Sequence, residues 1–204
     1  TSFVIAAPAI PSLPVVGDSK RFPVNRIYCV GRNYADHARE MGHDPDREPP
    51  FFFMKPATAI VTDGQAMSYP ALSKDVHHEL EMVVLDMTRR DLQGEAKKMG
   101  RPWDTGKAFD QSAPCSALVP VSQCGHLSKG RIYLTVNGQV KQDGDLAMMI
   151  WNVPETIAYL STLFTLMPGD LIFSGTPAGV AAVQRGDVLE GHVDGLPVLH
   201  TKIV

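Results

Sequence analysis

Residues 132–138 constrain the fold more than any other stretch of this chain. Ile132, Leu134 and Val136 alternate with Tyr133 and Thr135 and run straight into Asn137-Gly138. A period of two puts the three aliphatic side chains on one face of a strand, and Asn-Gly supplies the two residues that best accept the positive φ of a tight hairpin turn. An antiparallel pair is therefore expected here, with one face in a core. The same grammar recurs. Asp194-Gly195 is a second tight turn between strand-like residues 188–193 and 198–204, residues 171–173 form a further strand, and residues 27–30 read as a buried strand stopped by Gly31. Residues 51–53 and 59–62 add strand character. Helical signals are fewer. Asn33 is the expected N-cap, and Gly42 the C-terminal stop, of a short helix. Residues 88–99 form a second helix, ended by Gly100 and Pro102. In the third, Asn152 and Glu155 make a capping box and Ile157, Leu160, Leu163 and Phe164 follow at helical spacing until Pro168-Gly169. Strands outnumber helices and are joined by hairpins as often as by helices, which predicts an α+β, mainly β fold rather than a doubly wound sheet.

With 204 residues, 44% of them hydrophobic, and a net charge of -3, the chain can bury a substantial core as one domain. No basic run offers an electrostatic footprint for nucleic acid. Cys29, Cys115 and Cys124 are odd in number and form no C-x-x-C pair, so a reduced, cytoplasmic setting is expected in place of a disulfide framework or zinc knuckle. Pro8, Pro11 and Pro14 interrupt the apolar entry segment, which lacks a basic leader and is too short to span a bilayer; no membrane association is expected. Residues 1–21 read as an extended, polyproline-like arm laid on a single domain of residues 22–204. Residues 43–50, polar and proline-rich, are expected to form a surface loop.

The string Asp75-Val76-His77-His78-Glu79-Leu80-Glu81-Met82-Val83-Val84 carries the chemical signal. Read as a strand, it directs Glu79 and Glu81 to one face and Leu80 and Met82 to the core. Two carboxylates held side by side repel, and in a partly buried setting one must take a proton unless a cation lies between them. A hard divalent ion such as Mg²⁺ or Mn²⁺ resolves the conflict; a solvated polar face on an edge strand is the alternative. His77 and His78 point to opposite faces with too few nitrogen or sulfur donors nearby for a zinc site. His37 and Glu40, three apart on a helix, share a face, which makes either a general-base dyad or an ordinary exposed helix turn. Gly175-Thr176-Pro177-Ala178-Gly179 follows a strand and reads as a tight turn, structural or presenting backbone N–H groups and the Thr176 hydroxyl to a carboxylate. The G-x-x-x-x-G-K-[ST] and G-x-G-x-x-G patterns are absent, so no nucleotide is assigned.

Taken together, Tyr28-Cys29-Val30-Gly31-Arg32-Asn33-Tyr34, Phe52-Phe53-Met54-Lys55-Pro56, His78-Glu79-Leu80-Glu81, Asp86-Met87-Thr88-Arg89-Arg90-Asp91-Leu92-Gln93 and Gly175-Thr176-Pro177 resemble the fumarylacetoacetate hydrolase family, in particular its acylpyruvate and fumarylpyruvate hydrolase branch. The resemblance implies the mixed β-sandwich roll of that family, a homodimer, and a catalytic domain for residues 22–204. It implies that Glu79, Glu81 and Asp86 bind Mg²⁺ or Mn²⁺, that Lys107 lies beside the metal, and that His37 and Glu40 activate water from a lid helix. Lys55, Arg90, Gln93 and Thr176 would line the substrate pocket, with Arg90 pairing bidentately with a distal carboxylate of the small 2-oxo acid substrate. The implied reaction is metal-dependent hydrolysis of the carbon–carbon bond of an acylpyruvate, fumarylpyruvate favoured. Oxaloacetate decarboxylation, isomerisation of a hydroxymuconate-type acid, and metal or oxo-acid binding without turnover are the alternatives.

At one point the chain departs from the family pattern. Relatives place a connecting segment between the Glu-x-Glu strand and the Asp-Met-Thr motif, whereas here Val84 runs directly into Leu85 and Asp86. Met82-Val83-Val84-Leu85 contains no residue of the usual turn-forming kind to bring Asp86 back onto the glutamates. A segment missing between residues 84 and 85 is therefore expected.

Overall fold

The computed structural model describes residues 2–42 and 48–204, so the expected surface loop lies in large part outside the described residues. Arg131–Val136 pairs antiparallel with Gln139–Asp145 through the expected turn, in which Asn137 and Gly138 take φ of 52° and 75°. Its other edge pairs with Val188–Val193, which pairs in turn with Leu199–Ile203, and the short strand Ala66–Met67 closes the sheet in parallel. Ile132, Leu134, Leu189, Val193, Leu199 and Ile203 leave this sheet on one face and form a buried apolar cluster with Leu80, Leu85 and Met87.

A second core is built on Ile27–Gly31, flanked in parallel by Leu171–Phe173 and antiparallel by Phe51–Lys55. Its cluster joins Ile27, Cys29 and Phe173 to Leu13, Ala113 and Cys115. Between the two cores lies a small sheet in which Ile60–Thr62, Ala113–Cys115, Val84–Leu85 and Leu80–Glu81 are neighbours in that order. Alternation decides what each side chain of its hairpin meets. Leu80 and Leu85 enter the first core and Val84 the second, which leaves the carboxylates of Glu79 and Glu81 aimed into the space between.

Three sequence expectations are corrected. Residues 75–84 are not one strand: Val76–His78, Leu80–Glu81 and Val84–Leu85 are separate, and the chain reverses at Met82-Val83. Val83 takes φ of 55°, a conformation that β-branched residues rarely adopt, so the turn forms without glycine or asparagine because core packing on both sides compensates for local strain. Across this turn the Asp86 N–H donates to Glu79 O at 2.9 Å, which brings Asp86 back beside the glutamates.

The N-terminal arm is shorter than expected. Ser12–Val15 and Asp18–Pro23 form an antiparallel hairpin, and Leu13 is fully buried in the second core. Asn33, finally, does not cap the first helix, Ala35–Glu40, whose N-cap is Tyr34. Its amide instead donates to Trp151 O and Ser174 O and accepts from Trp151 N–H, fastening three segments together. The second helix is Arg90–Lys98, and the third, Val153–Leu163, opens on the expected Asn152/Glu155 capping box. No helix among the described residues is long and apolar enough to cross a membrane.

Leu134 stands at the centre of the first core with no exposed surface. Leu134→Ala is expected to cost about 2–5 kcal/mol of unfolding free energy, measured by urea titration, because the two-sided packing leaves little room for collapse around the cavity.

Candidate active site

The hairpin places Glu79, Glu81 and Asp86 within one buried cluster; they retain 6%, 1% and 1% of their surface. Burial of so many charges requires partners. Lys107, on the short helix Asp104–Lys107, donates to Glu79 Oε2 at 2.9 Å, Asp86 Oδ2 at 2.7 Å and Thr88 Oγ1 at 2.7 Å. Gly106 is needed for this approach, since a Cβ there would lie 2.8 Å from the Gln93 backbone nitrogen. Arg90 Nη2 donates to Glu79 Oε1 at 2.5 Å, while its Nη1 donates to Gln93 Oε1 at 2.7 Å. Glu81 accepts from the Gly175 N–H at 2.6 Å.

These contacts set unequal proton affinities. Burial works to raise Glu79, but the charges of Lys107 and Arg90 outweigh it and hold its carboxyl below the ordinary carboxylate range. Glu81 goes the other way: burial, then repulsion by Asp86 and Glu79, push it well up, against the Gly175 N–H. Burial favours neutral Lys107, but Asp86 and Glu79 reverse that and raise its ammonium pKa.

The donor set suits a hard divalent cation: three carboxylates on one hairpin, all oxygen, with two oxygens outside the hydrogen bonds above. These are Glu81 Oε1 and Asp86 Oδ1, the latter 2.9 Å from Lys55 Nζ as an ion pair but without a directed hydrogen bond. Among the described residues no three His, Cys, Asp or Glu side chains converge as a ready-made cage; the ammonium of Lys107 bridges the carboxylates instead.

A cleft of about 420 Å³ opens over this cluster, lined among others by Arg32, His37, Phe51, Glu79, Glu81, Arg90, Gln93, Lys97, Trp103, Lys107 and Thr176. His37 is buried at its edge with Nδ1 3.2 Å from Glu40 Oε2. Glu40 is itself held by the Gly179 N–H, at 3.1 Å from Oε1 and 3.2 Å from Oε2. The Gly175–Gly179 turn thus offers its N–H groups to carboxylates, as the sequence suggested, but they are the protein's own. A side chain at Gly179 is excluded, because φ is +97° and a Cβ would lie 2.1 Å from Lys141 O.

Of the residues expected to line the pocket, Gln93 and Thr176 do so. Lys55 does not. It is fully enclosed behind Asp86, donating to Met87 O and Lys107 O, so it supports the cluster from below. Arg90 borders the cleft, but its two terminal nitrogens are engaged with Glu79 and Gln93 and are not presented as a free fork for a distal carboxylate.

Sequence reasoning gave no role to Gln142. It is wholly buried: its Oε1 accepts from Leu80 N–H and from His78 Nδ1–H, both at 2.9 Å, and its Nε2 donates to Thr176 Oγ1 at 2.7 Å and Pro177 O at 2.8 Å. One amide therefore joins the carboxylate hairpin to the Thr176 turn. Burial lowers His78 to about 4, which keeps this imidazole neutral beside Gln142. Replacing Gln142 by near-isosteric Leu strands buried donors and acceptors on both sides. A loss of at least about 3 kcal/mol in denaturant unfolding is the expected outcome.

Comparisons with known proteins identify the family. The fumarylacetoacetate (FAA) hydrolase C-terminal model matches residues 26–85 and 82–204, two pieces that meet at the Met82-Val83 hairpin. The chain belongs to the fumarylacetoacetate hydrolase family, whose members are enzymes. The crystal structure of fumarylpyruvate hydrolase from Pseudomonas aeruginosa, in complex with Mn²⁺ and pyruvate, is 46% identical and superposes with a TM-score of 0.96 over 100% of this chain and 99% of that one. Human mitochondrial oxaloacetate tautomerase FAHD1 is 39% identical over 201 residues, covering 87% of this chain and 90% of that protein. Oxaloacetate tautomerase YcgM of Escherichia coli is 39% identical over 199 residues, covering 85% and 90%.

Proposed function

We propose that this chain is a divalent-metal-dependent hydrolase that cleaves the carbon–carbon bond of an acylpyruvate, fumarylpyruvate first, to pyruvate and a second acid. The observation that carries the reading is the His37–Glu40 pair, pinned by Gly179 at the edge of the same cleft that exposes Glu79, Glu81 and Lys107. The likeness to a fumarylpyruvate hydrolase over the full chain supports it.

Glu79, Glu81 and Asp86 would hold the Mg²⁺ or Mn²⁺ ion. When bound, the ion supplies positive charge for the carboxylate and 2-oxo oxygens of the substrate and for the enolate that cleavage releases. Lys107 adds a fixed cation at the same end. His37 Nδ1 is taken up by Glu40, which leaves Nε2 as the atom that accepts a proton from water. That water attacks the distal carbonyl carbon. Collapse of the tetrahedral adduct breaks the bond to the pyruvyl carbon and leaves its electron pair in an enolate, and protonation at that carbon gives pyruvate. Gln93 and Thr176 border the bound acid, and Thr176 is held in place by Gln142.

Decay of the enol absorbance of fumarylpyruvate tests the reading. It is expected with Mg²⁺ or Mn²⁺ and abolished by chelator; no metal-dependent decay on any acylpyruvate, together with no turnover of oxaloacetate, would favour a binder without turnover. His37→Ala is expected to lower kcat by about 10²- to 10⁴-fold, the usual contribution of a positioned base.

The likeness to oxaloacetate tautomerases supports a second reading, in which the same carboxylates and enolate serve proton transfer on oxaloacetate. That chemistry needs no hydrolytic water. Oxaloacetate turnover retained in His37→Ala, with acylpyruvate hydrolysis lost, is the outcome expected of an enzyme with both activities; oxaloacetate turnover with no acylpyruvate cleavage by the unaltered protein would select the tautomerase.

A further inference from the structure

Two cations at the cleft have no anionic partner among the described residues. The Arg32 side chain makes no ion pair or hydrogen bond there, and its Nε is buried and unpartnered. Lys97 likewise has no ion pair, although it borders the same cleft as Arg90 and Lys107, whose charges are both neutralised by Glu79 or Asp86. Each free cation rests on an aromatic face: Arg32 Cζ lies 4.9 Å from the Phe51 ring centre and Lys97 Nζ 4.9 Å from that of Trp103. The two rings touch edge to face at 5.3 Å, so the cations are carried on one joined platform.

The platform is specifically built. Phe51 lies flat on Gly31, where any Cβ would come within 2.0 Å of the ring. The next residue, Arg32, takes φ of 54°, a left-handed conformation that costs a non-glycine residue energy and persists where the surroundings enforce it. Lys97 is held in a repulsive setting: partial burial along its side chain, whose residue as a whole remains exposed, and the nearby charges of Arg90 and Arg32 lower its pKa. Glu79 offsets this repulsion, but it is already paired with Arg90 and Lys107, so a further anion arriving between Arg32 and Lys97 would be stabilised.

We infer that Arg32 and Lys97, on the Phe51–Trp103 platform, form the subsite for a carboxylate at the far end of the acyl arm, so that the preferred substrates are acylpyruvates ending in a second carboxylate. This rests on the hydrolase reading and assigns the distal contact to a pair other than Arg90. Depth fits the assignment. The carboxylate cluster and Lys107 form the buried floor where the pyruvyl end would lie, while Lys97 is exposed and Arg32 partly so, on the outer side of the same cleft. A guanidinium and an ammonium together offer directed hydrogen bonds and a point charge to one carboxylate.

The experiment compares fumarylpyruvate, which carries the distal carboxylate, with acetylpyruvate, which does not, in the metal-loaded protein and in Arg32→Gln, Lys97→Gln and the double variant. Expected is a fall in kcat/KM of about 10- to 100-fold on fumarylpyruvate, carried mainly by KM, with acetylpyruvate hydrolysis unchanged and with partial recovery in Arg32→Lys. Equal losses on both substrates would mean that the two cations only brace the aromatic platform, and no loss would mean that they are bystanders; either overturns the subsite and leaves the hydrolase reading standing. If the unaltered protein hydrolyses neither compound, that reading falls. The subsite is then judged by fumarate binding, followed through Trp103 fluorescence: weakened binding in the double variant sustains it, and unchanged binding removes it.

Discussion

The charge cluster between the two cores is the constraint on which the rest of the molecule depends. Glu79, Glu81 and Asp86 could not be buried by hydrophobic packing alone, because an isolated ionised carboxylate in such surroundings loses far more hydration than contacts return. Lys107, Arg90 and Lys55 compensate from three separate elements, so those elements must come together for any of them to be satisfied. The same cluster is where a hard cation and an oxo acid would be received. Stability and chemistry are thus coupled at one point, with Glu81 kept from ordinary ionisation by burial and by its neighbours.

Around the cluster, hydrogen bonds of single buried amides set the relative positions of the parts. Gln142 ties the carboxylate hairpin to the Thr176 turn, and Asn33 ties the start of the first helix to Trp151 and Ser174. The Gly175 and Gly179 N–H groups meet Glu81 and Glu40, so one turn positions a carboxylate of the cluster and the carboxylate that orients His37. None of these links adds apolar burial. Their effect is geometric: each is expensive to leave half-made, which makes the arrangement specific.

Family membership leaves the reaction open between hydrolysis and proton transfer, since likenesses run to a fumarylpyruvate hydrolase and to oxaloacetate tautomerases alike. What distinguishes such reactions lies at the rim of the cleft. On the proposed reading the floor would hold what every 2-oxo acid shares, whereas Arg32, Lys97, Phe51 and Trp103, which line the same cleft, would meet the part of a substrate that differs. If His37 serves as the base and the rim accepts an anion, the two together would favour an acyl arm that is both hydrolysed and charged.

Period-two alternation and the Asn137-Gly138 turn announced the large antiparallel sheet, and the Asn152/Glu155 capping box announced the third helix, because these signals operate within a few residues of each other. Glu79, Glu81, His37 and Glu40 could be singled out from local spacing, and Lys107 and Asp86 from a family likeness. Contacts between distant segments were not legible. Gln142 lies in an otherwise polar, exposed strand, Arg32 belonged to a recognised string without a role, and Lys55 and Arg90 were assigned to substrate before their partners were known. The reversal at Met82-Val83 defied local turn chemistry because packing against two cores outweighs the preference of one residue for negative φ. By itself, the order of residues determined which segments become strands and which side chains carry chemistry, as these follow from short-range sterics and side-chain identity. Only the tertiary structure decided which charge meets which, and so which cations remain free for a ligand, because electrostatic partners are chosen by proximity in space and by burial.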